Sequence, residues 1–498
     1  MGISRWEASR NASMARVYSL SQASGNPAFE VEYAAMNFFK RLADFYRSPE
    51  YFSEMKKLVL PIAAQQFMFA ALNMIGTVFV GQKGETAVAA VGLAGQAAFL
   101  LNLAAFGVVS GAMMFTAQFW GRRDLANLRR VLGLSLGLSL LASLFFLAVS
   151  QFIPEAFLKV YSKDAAVIAL GVEYMRIFSW SFLFYSVTVC FAMVMRSTGD
   201  VKTPTAIGVA ALALNTVLSW ALIFGKLGLP ELSINGAAVA AVISRALECA
   251  ALLYAVYVGR SPVAASLREL TDLDAAFVGR ILRPMFPVIL NELFWSFGVT
   301  AYSVIYGRMG TDALAAVNII SSIEQVAFVP FIGISNATAV LVGNRIGAGR
   351  EDEAHAYAGR SLGIGVLGGL LTGLLLQALK WPLLSLYNVS PEVVRDAGMV
   401  MNVLSVFMWM RVNNQTLIIG ILRAGGDTKF SLVVDGVIIW VVGVPLSALG
   451  AFVFHFPVYW VAVCVMSEEA TKWILGLARY RSRKWINNLV REDGLSSA

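Results

Sequence analysis

The sequence predicts an all-α membrane protein of 12 transmembrane helices, arranged as two six-helix bundles related by a parallel pseudo-twofold repeat. Three observations carry that prediction. The 498-residue chain is 58% hydrophobic and only 14% charged, where a soluble domain carries about 25% charged residues. Its apolar residues gather into runs long enough to cross a ~30 Å hydrocarbon core as helices. Its two halves also repeat each other at a nearly fixed offset.

The repeat is read from landmarks. Pro61 answers Pro287, and Gly84-Glu-Thr-Ala-Val-Ala-Ala-Val91 answers Gly310-Thr-Asp-Ala-Leu-Ala-Ala-Val317. Gly107 answers Gly333, and Gly121 answers Gly347, all at an offset of 226 residues. Met195-Arg-Ser-Thr-Gly-Asp200 then answers Leu422-Arg-Ala-Gly-Gly-Asp427 at 227. Duplicated halves in a membrane are how transporters build two lobes around a central site.

Twelve apolar runs lie near 57–80, 88–118, 131–153, 172–195, 203–225, 234–258, 283–306, 313–343, 361–380, 397–421, 430–453 and 458–478, six in each half. They divide the chain into an N-terminal extension (1–56), an N-lobe (57–258), an inter-lobe linker (259–282), a C-lobe (283–478) and a basic tail (479–498). The even-to-odd connections carry fifteen Lys and Arg, against seven in the odd-to-even ones. That bias puts both termini in the cytoplasm, and it accounts for the net charge of +8 without a nucleic acid partner. An even span count with a cytoplasmic start makes the repeats parallel rather than inverted.

No apolar run follows the opening charges, so no signal peptide is predicted, and Trp6 spoils a myristoylation pattern. Residues 1–28 read as unstructured. Residues 33–48 place Phe38, Leu42, Phe45 and Tyr46 on one helical face, either a helix on the membrane surface or a cap on the bundle.

Cys190, Cys249 and Cys464 fall singly inside predicted spans, which makes neither a disulfide framework nor a metal cluster. Two histidines, His355 and His455, exclude a multi-His metal site. Gly363-Ile-Gly-Val-Leu-Gly368 fits a dinucleotide pattern, but it sits inside an apolar span, where close helix packing is the better reading. Gly425-Gly-Asp-Thr-Lys429 lacks Walker spacing. The chain reads as no enzyme and no ATPase, without a cofactor, so pumping draws on an ion gradient.

Polar residues at membrane depth are costly and mark function. The C-lobe carries Glu292, Glu324, Arg411, Glu468, Glu469 and Lys472, and Asp435 lies near the start of the eleventh span. In the N-lobe, Gln66 stands at the position of Glu292 and Ala98 at that of Glu324. Glu173 with Arg176, and Arg245 with Glu248, have i, i+3 spacing that neutralises each pair within one helix. No cation lies within one turn of Glu292 on its own helix. It is either a cation or proton site, assisted by Asn291, or a buried partner of Arg411. Glu324 with Arg411 is the expected structural pair, Lys472 neutralises Glu468 or Glu469, and Asp435 is expected at a gate or loop contact.

Amides add to this set: Gln65, Gln66, Asn73, Gln96, Asn102 and Asn215 in the N-lobe, and Asn318, Asn336, Asn402, Asn413, Asn414 and Gln415 in the C-lobe. Single amides are commonly interhelical glue. The run 413–415 beside Arg411 is too polar for glue and is expected on a water-filled cavity. Phe67, Phe69, Phe294, Trp295 and Phe297 include rings that can hold an apolar cation.

Over residues 55–485 the chain resembles the multidrug and toxic compound extrusion (MATE) transporters. The motifs are Pro61 leading to Val80-Gly-Gln-Lys-Gly-Glu-Thr-Ala-Val-Ala-Ala-Val-Gly92, and Ala117-Gln-Phe-Trp-Gly-Arg122 with its counterpart Val342-Gly-Asn-Arg-Ile-Gly-Ala-Gly-Arg350. They continue through Met195-Arg-Ser-Thr-Gly-Asp-Val-Lys-Thr-Pro204, Asn215, Ile223-Phe-Gly225, Asn235-Gly-Ala-Ala-Val-Ala240 and Leu422-Arg-Ala-Gly-Gly-Asp-Thr-Lys429. The resemblance implies two bundles forming a V with an outward-open cleft, and export of organic, often cationic compounds in exchange for Na+ or H+.

The chain departs from the family pattern in the N-lobe. Gly76-Thr77 stands where many members have Asp-Thr, and Ser219 where many have Asp. The position of another family Asp falls at Val412–Asn413. An acid in the seventh span is a family feature, and Glu292 lies within one turn of its usual place. The expectation is an antiporter of cationic or amphiphilic compounds coupled at Glu292 (with Na+ possible near it), the lobes hinging at 259–282 and near Gly121 and Gly347. It would be a monomer among membrane lipid, in a prokaryotic inner or plasma membrane. The alternatives are a lipid or lipid-linked oligosaccharide flippase of the same superfamily, a channel, or a non-transporting scaffold.

Overall fold

The computed structural model describes residues 46–387 and 389–491, apart from the side chains of Ala70 and Asn73. Two units are distinguished, Met1–Glu54 and Met55–Ala498. In the first, the described residues form the opening turns of a helix from Pro49. All but the last three positions of the surface helix expected at 33–48 lie outside the described residues.

Every regular element among the described residues is helical. The first half contains α1 (Pro49–Gly81), α2 (Glu85–Arg122), α3 (Leu125–Phe152), the short α4 (Pro154–Lys159), α5 (Ala165–Phe178), α6 (Ser181–Ser197), α7 (Lys202–Phe224) and α8 (Ile234–Val258). After α9 (Leu267–Thr271) come α10 (Ala275–Met309), α11 (Thr311–Gly347), α12 (Glu351–Leu384), α13 (Pro391–Arg423), α14 (Thr428–Phe452) and α15 (Val458–Arg481). Ten of these helices are long and apolar enough to cross a membrane, and α5 with α6, bent by 50°, makes an eleventh span. Helix α15 has the length, at 24 residues. Its charged Glu468, Glu469 and Lys472 set it apart in composition.

Two boundaries differ from the sequence reading. The fourth span begins at Ala165 rather than 172 and breaks at Ser179–Trp180. Helix α10 begins at Ala275, inside the expected linker, because Asp274 accepts from the Phe277 N–H (2.7 Å) and caps it there. Asp124 and Asp164 cap α3 and α5 in the same way. Glu173 accepts from Asn235 (3.2 Å) rather than pairing with Arg176, whereas Arg245 and Glu248 do pair (2.7 Å).

Small residues let the helices of each half approach closely. In the N-lobe, Ser186 donates to the Ser139 carbonyl (3.0 Å) and Ser143 to that of Phe182 (3.0 Å). In the C-lobe, Gly365, Gly369 and Gly373 of α12 lie against Asn413, Trp409 and Ser405 of α13. Within the glycine-rich string, Gly365 thus packs against α13 and Gly368 against Phe331 of α11.

The halves meet along a seam that obeys the sequence repeat. Gly107 lies against Ile289, and Gly333 against Val59 and Ala63. Further along, a Cβ on Gly121 would overlap the Asn344 carbonyl, and one on Gly347 would overlap that of Gln118. Gln118 and Asn344 are themselves one repeat apart. Gln118 donates to the Ala424 carbonyl (3.1 Å). Asn344, with its nitrogen turned toward the neighbouring carbonyls, donates to Ala117 (2.7 Å) and Ser197 (3.2 Å). These contacts lie in the halves of α1, α2, α10 and α11 nearest the end that carries the Arg-rich loops, here called the basic end. Gly121 and Gly347 are thus points of close backbone approach between the two halves.

The inter-lobe linker is pinned to the N-lobe. Ser266 and Glu269 form a reciprocal capping box on α9, and Arg129 reaches Glu269 (2.6 Å). The Ser266 N–H, followed by Arg129, holds the Glu269 carboxyl down to about 2 from its ordinary 4.5. A depressed carboxyl pKa contributes stability that is complete above the ordinary range and declines as pH falls toward the folded value. Glu269→Gln is therefore expected to lower the melting temperature by about 1–2 °C at neutral pH. Thermal melts from pH 8 downward should show that difference hold flat to pH ~5 and shrink below pH ~4.

Candidate functional site

The buried charges gather in the C-lobe. Glu292 of α10 is 8% exposed. It accepts a hydrogen bond from Arg423 at the end of α13 (2.6 Å). This corrects one of the two sequence readings of Glu292: its buried partner is Arg423, not Arg411. The cation comes from the Arg-Ala-Gly-Gly-Asp motif, which threads back against α10. Arg423 also donates to Ser110 of α2 (3.2 Å) and lies 3.7 Å from Asp435 of α14.

From Asp435 the network continues across α14 and α15. Asp435 accepts from Asn291 (2.8 Å) and from Lys472 (3.0 Å). Lys472 also donates to Glu468 (3.0 Å), which accepts from the Tyr302 hydroxyl. Asp435 therefore joins two cations, Lys472 and Arg423, at the centre of the array rather than meeting a loop. A second group lies beside the first. Arg411 pairs with Glu324 (2.7 Å), as expected, and also approaches Glu469 (3.7 Å), whose carboxylate accepts from Asn414 (2.7 Å).

Local structure makes room for this array. Residues Thr416–Arg423 of α13, and Leu432–Val437 and Ile439–Gly443 of α14, are wound as π-helix. Such wide turns are rare and concentrate at functional sites. Here they carry both Arg423 and Asp435. At Gly443 a Cβ would overlap the Tyr302 hydroxyl and the Glu468 carboxylate, so only glycine admits that contact.

Counting charges decides what the site can do. Arg411, Arg423 and Lys472 face Glu292, Glu324, Asp435, Glu468 and Glu469, so three cations meet five carboxylates. An unbalanced buried charge costs several kcal/mol even after relaxation. Two further positive charges restore balance. Buried oxygens point the same way: Asn291 Oδ1 and Asn414 Oδ1 have no hydrogen-bond partner, and both residues are at most 3% exposed. Oxygen donors of this kind suit a hard cation or a protonated carboxyl. Among the described residues, no group of three or more His, Cys, Asp or Glu is arranged to hold a metal ion. A sodium ion at this array would therefore draw on amide oxygens as well as carboxylates.

The other candidates lie apart from this array. Asn413 is wholly buried and donates to the Trp409 carbonyl of its own helix (2.8 Å). Asn413 and Asn414 thus sit in packed protein, not on the water-filled cavity expected for them. Asn318 is exposed on α11, and Asn215 is half-buried on α7. Gln65, rather than Gln66, holds Arg196 (2.6 Å), so the N-lobe copy of the arginine motif meets an amide where the C-lobe copy meets a carboxylate. The Asn73 side chain lies outside the described residues. A cavity of about 10 Å³, room for one water, lies at the seam beside Arg423, lined also by Ser110, Met113, Asn336 and Ala339. A larger one, about 380 Å³, lies in the N-lobe among Phe79, Trp220, Phe224 and Glu231, where Lys83 already pairs with Glu231 (2.6 Å).

Sequence reasoning missed the pairing of Arg423, the partners of Asp435 and the Asn414–Glu469 bond. The available signal was the asymmetry of Asn291-Glu292 against Gln65-Gln66, paired with two copies of one arginine.

Removing Arg423 leaves Glu292 and part of Asp435 unpaired, which costs about 3–5 kcal/mol for a buried pair. Arg423→Met is expected to lower the melting temperature of the purified protein. The double variant Arg423→Met/Glu292→Leu should recover at least part of that loss; no recovery would mean that the pairing is not what Arg423 supplies.

Comparison with known proteins agrees with the arrangement. The MatE family model matches residues 61–221 and 287–449, one match in each half. A Thermotoga maritima chain named "Probable multidrug resistance protein NorM" is 23% identical over 460 residues, covering 91% of this chain and 97% of its own. The bent form of the Vibrio cholerae MATE transporter VcmN superposes with a TM-score of 0.78 at 18% identity, covering 88% of this chain and all of its own. A MATE-family multidrug resistance transporter solved in an outward-facing conformation gives a TM-score of 0.77 at 20% identity, over 88% of this chain and 96% of that one. The chain is an integral, multi-pass membrane protein belonging to the MATE family of efflux transporters.

Proposed function

We propose that the chain exports organic cationic or amphiphilic compounds in exchange for H+ or Na+, with coupling in the C-lobe. One observation carries this reading: three cations, two of them buried, face five carboxylates, and the missing positive charge has to come from outside the protein. A proton, a sodium ion or the cationic part of a substrate can supply it. Because they neutralise the same deficit, binding of one disfavours binding of another, which is the requirement for exchange.

The seam supports the direction of the cycle. With the Arg-rich loops on the cytoplasmic side, the packed basic end is the cytoplasmic end, and both termini lie there. This form then corresponds to the outward-facing state. Access from the cytoplasm requires α2 and α11 to part where Gln118 and Asn344 now bond across the seam. Transport becomes uphill only if the two states differ in affinity for ion and substrate. Arg423 gives a reason for such a difference, because it bonds both Glu292 in its own lobe and Ser110 in the other. Parting the lobes removes the Ser110 bond and changes the environment of Glu292. The transporter needs no cofactor beyond the coupling ion, and it works as a monomer in a prokaryotic inner or plasma membrane.

Proteoliposomes with an imposed H+ or Na+ gradient and a panel of organic cations, anions and neutral compounds test this reading. Glu292→Gln is expected to reduce gradient-driven accumulation by about tenfold or more, while substrate counterflow without a gradient persists. Undiminished gradient-driven transport by Glu292→Gln would contradict coupling at this network.

A further inference from the structure

We infer that residues 482–491 form a strap that holds the basic end of the transporter shut. Helix α15 ends at Arg481, and the chain reverses through Arg483, whose φ of 57° lies in the left-handed region. It then runs back beneath the junction of α2, α11 and α13. Trp485 is wholly buried there, and its indole N–H donates to the Tyr480 carbonyl (3.2 Å).

The strap explains a break in the sequence repeat. Trp485 fills the space beside Gly425, where a Cβ would overlap its ring and carbonyl. The N-lobe position one repeat earlier is Thr198, which has no strap to accommodate. The Asn487 N–H donates to the Gly425 carbonyl (2.8 Å), and the Asn488 amide to that of Ile346 (2.9 Å). These contacts tie the strap to the C-lobe.

The same segment is bonded to the N-lobe. Gln118 of α2 is wholly buried, donates to the Asn487 carbonyl (3.2 Å) and accepts from the Leu489 N–H (2.8 Å). Arg122 donates to the Val490 carbonyl. Leu489 and Val490 pack into a cluster that holds Phe119 and Leu128 of the N-lobe together with Phe277 and Met285 of α10, and Leu489 also lies against Gly426 of the C-lobe. Gln118 thus spends one donor on the opposite lobe, at Ala424, and its other donor and its acceptor on the strap. Among the described residues, its repeat partner Asn344 makes the seam bonds to Ala117 and Ser197 and none to the strap. The strap is therefore an addition to the duplicated design, and it crosses the surface along which the lobes separate.

An accessibility measurement on the full chain in detergent tests this, whatever ion or compound is carried. Replacing Cys190, Cys249 and Cys464 and introducing Ala339→Cys places one thiol in the small seam cavity beside Arg423. Truncation after Lys484 is expected to speed labelling of that thiol by a charged maleimide by about tenfold, the opening no longer being opposed by the strap. Leu489→Asp puts a charge into the strap's apolar packing against both lobes while leaving Trp485 in place, and should act in the same direction; Lys484→Ala should not. A truncated or Leu489→Asp protein that stays folded, even at a lower melting temperature, with unchanged labelling would overturn the strap as a lock.

Discussion

Buried charge in the C-lobe has to be balanced, and the side chains present do not balance it. Much of the second half is organised around that constraint. Wide π-turns bring Arg423 and Asp435 to the array, Gly443 yields space to Tyr302 and Glu468, and α15 carries Glu468, Glu469 and Lys472 within a membrane-length helix. In a medium of low polarity each of these ions is costly unless paired. The local pairs reduce the cost and leave a deficit of two positive charges.

The first half shows what the same scaffold does without the carboxylates. Arg196 occupies the position of Arg423 but binds the Gln65 amide, and Arg245 with Glu248 closes a balanced pair. The seam keeps the symmetry that the charges have lost. Gly107 and Gly333, Gly121 and Gly347, Gln118 and Asn344 make equivalent contacts across it. A duplicated frame therefore supplies two halves with a matched interface, while the three-cation, five-carboxylate array lies in one of them.

The fold was legible because apolar run length and a near-constant offset are both visible in one dimension. The Glu324–Arg411 pair was legible too, since two unmatched opposite charges at mid-span depth have few other partners. Arg423 was not, because it sits in a motif that reads as a loop landmark, and its approach to Glu292 depends on how α13 is wound. Nothing in the apolar residues 416–423 distinguishes π- from α-winding. The position of Asp435 near the start of its span gives no sign of its partners, because Asn291, Arg423 and Lys472 reach it from three other helices. The Gly425 and Thr198 difference was present in the sequence but had no meaning until Trp485 was seen beside it.

The most direct measurement is the number of positive charges displaced when substrate binds. Calorimetry of the purified protein in buffers of different ionisation enthalpy counts protons, and a sodium electrode on the same titration counts Na+. The charge deficit predicts that binding of an organic cation releases about one to two H+ or Na+ per transporter at neutral pH, with a smaller release in Glu292→Gln. Tight substrate binding with no release of either ion would contradict it.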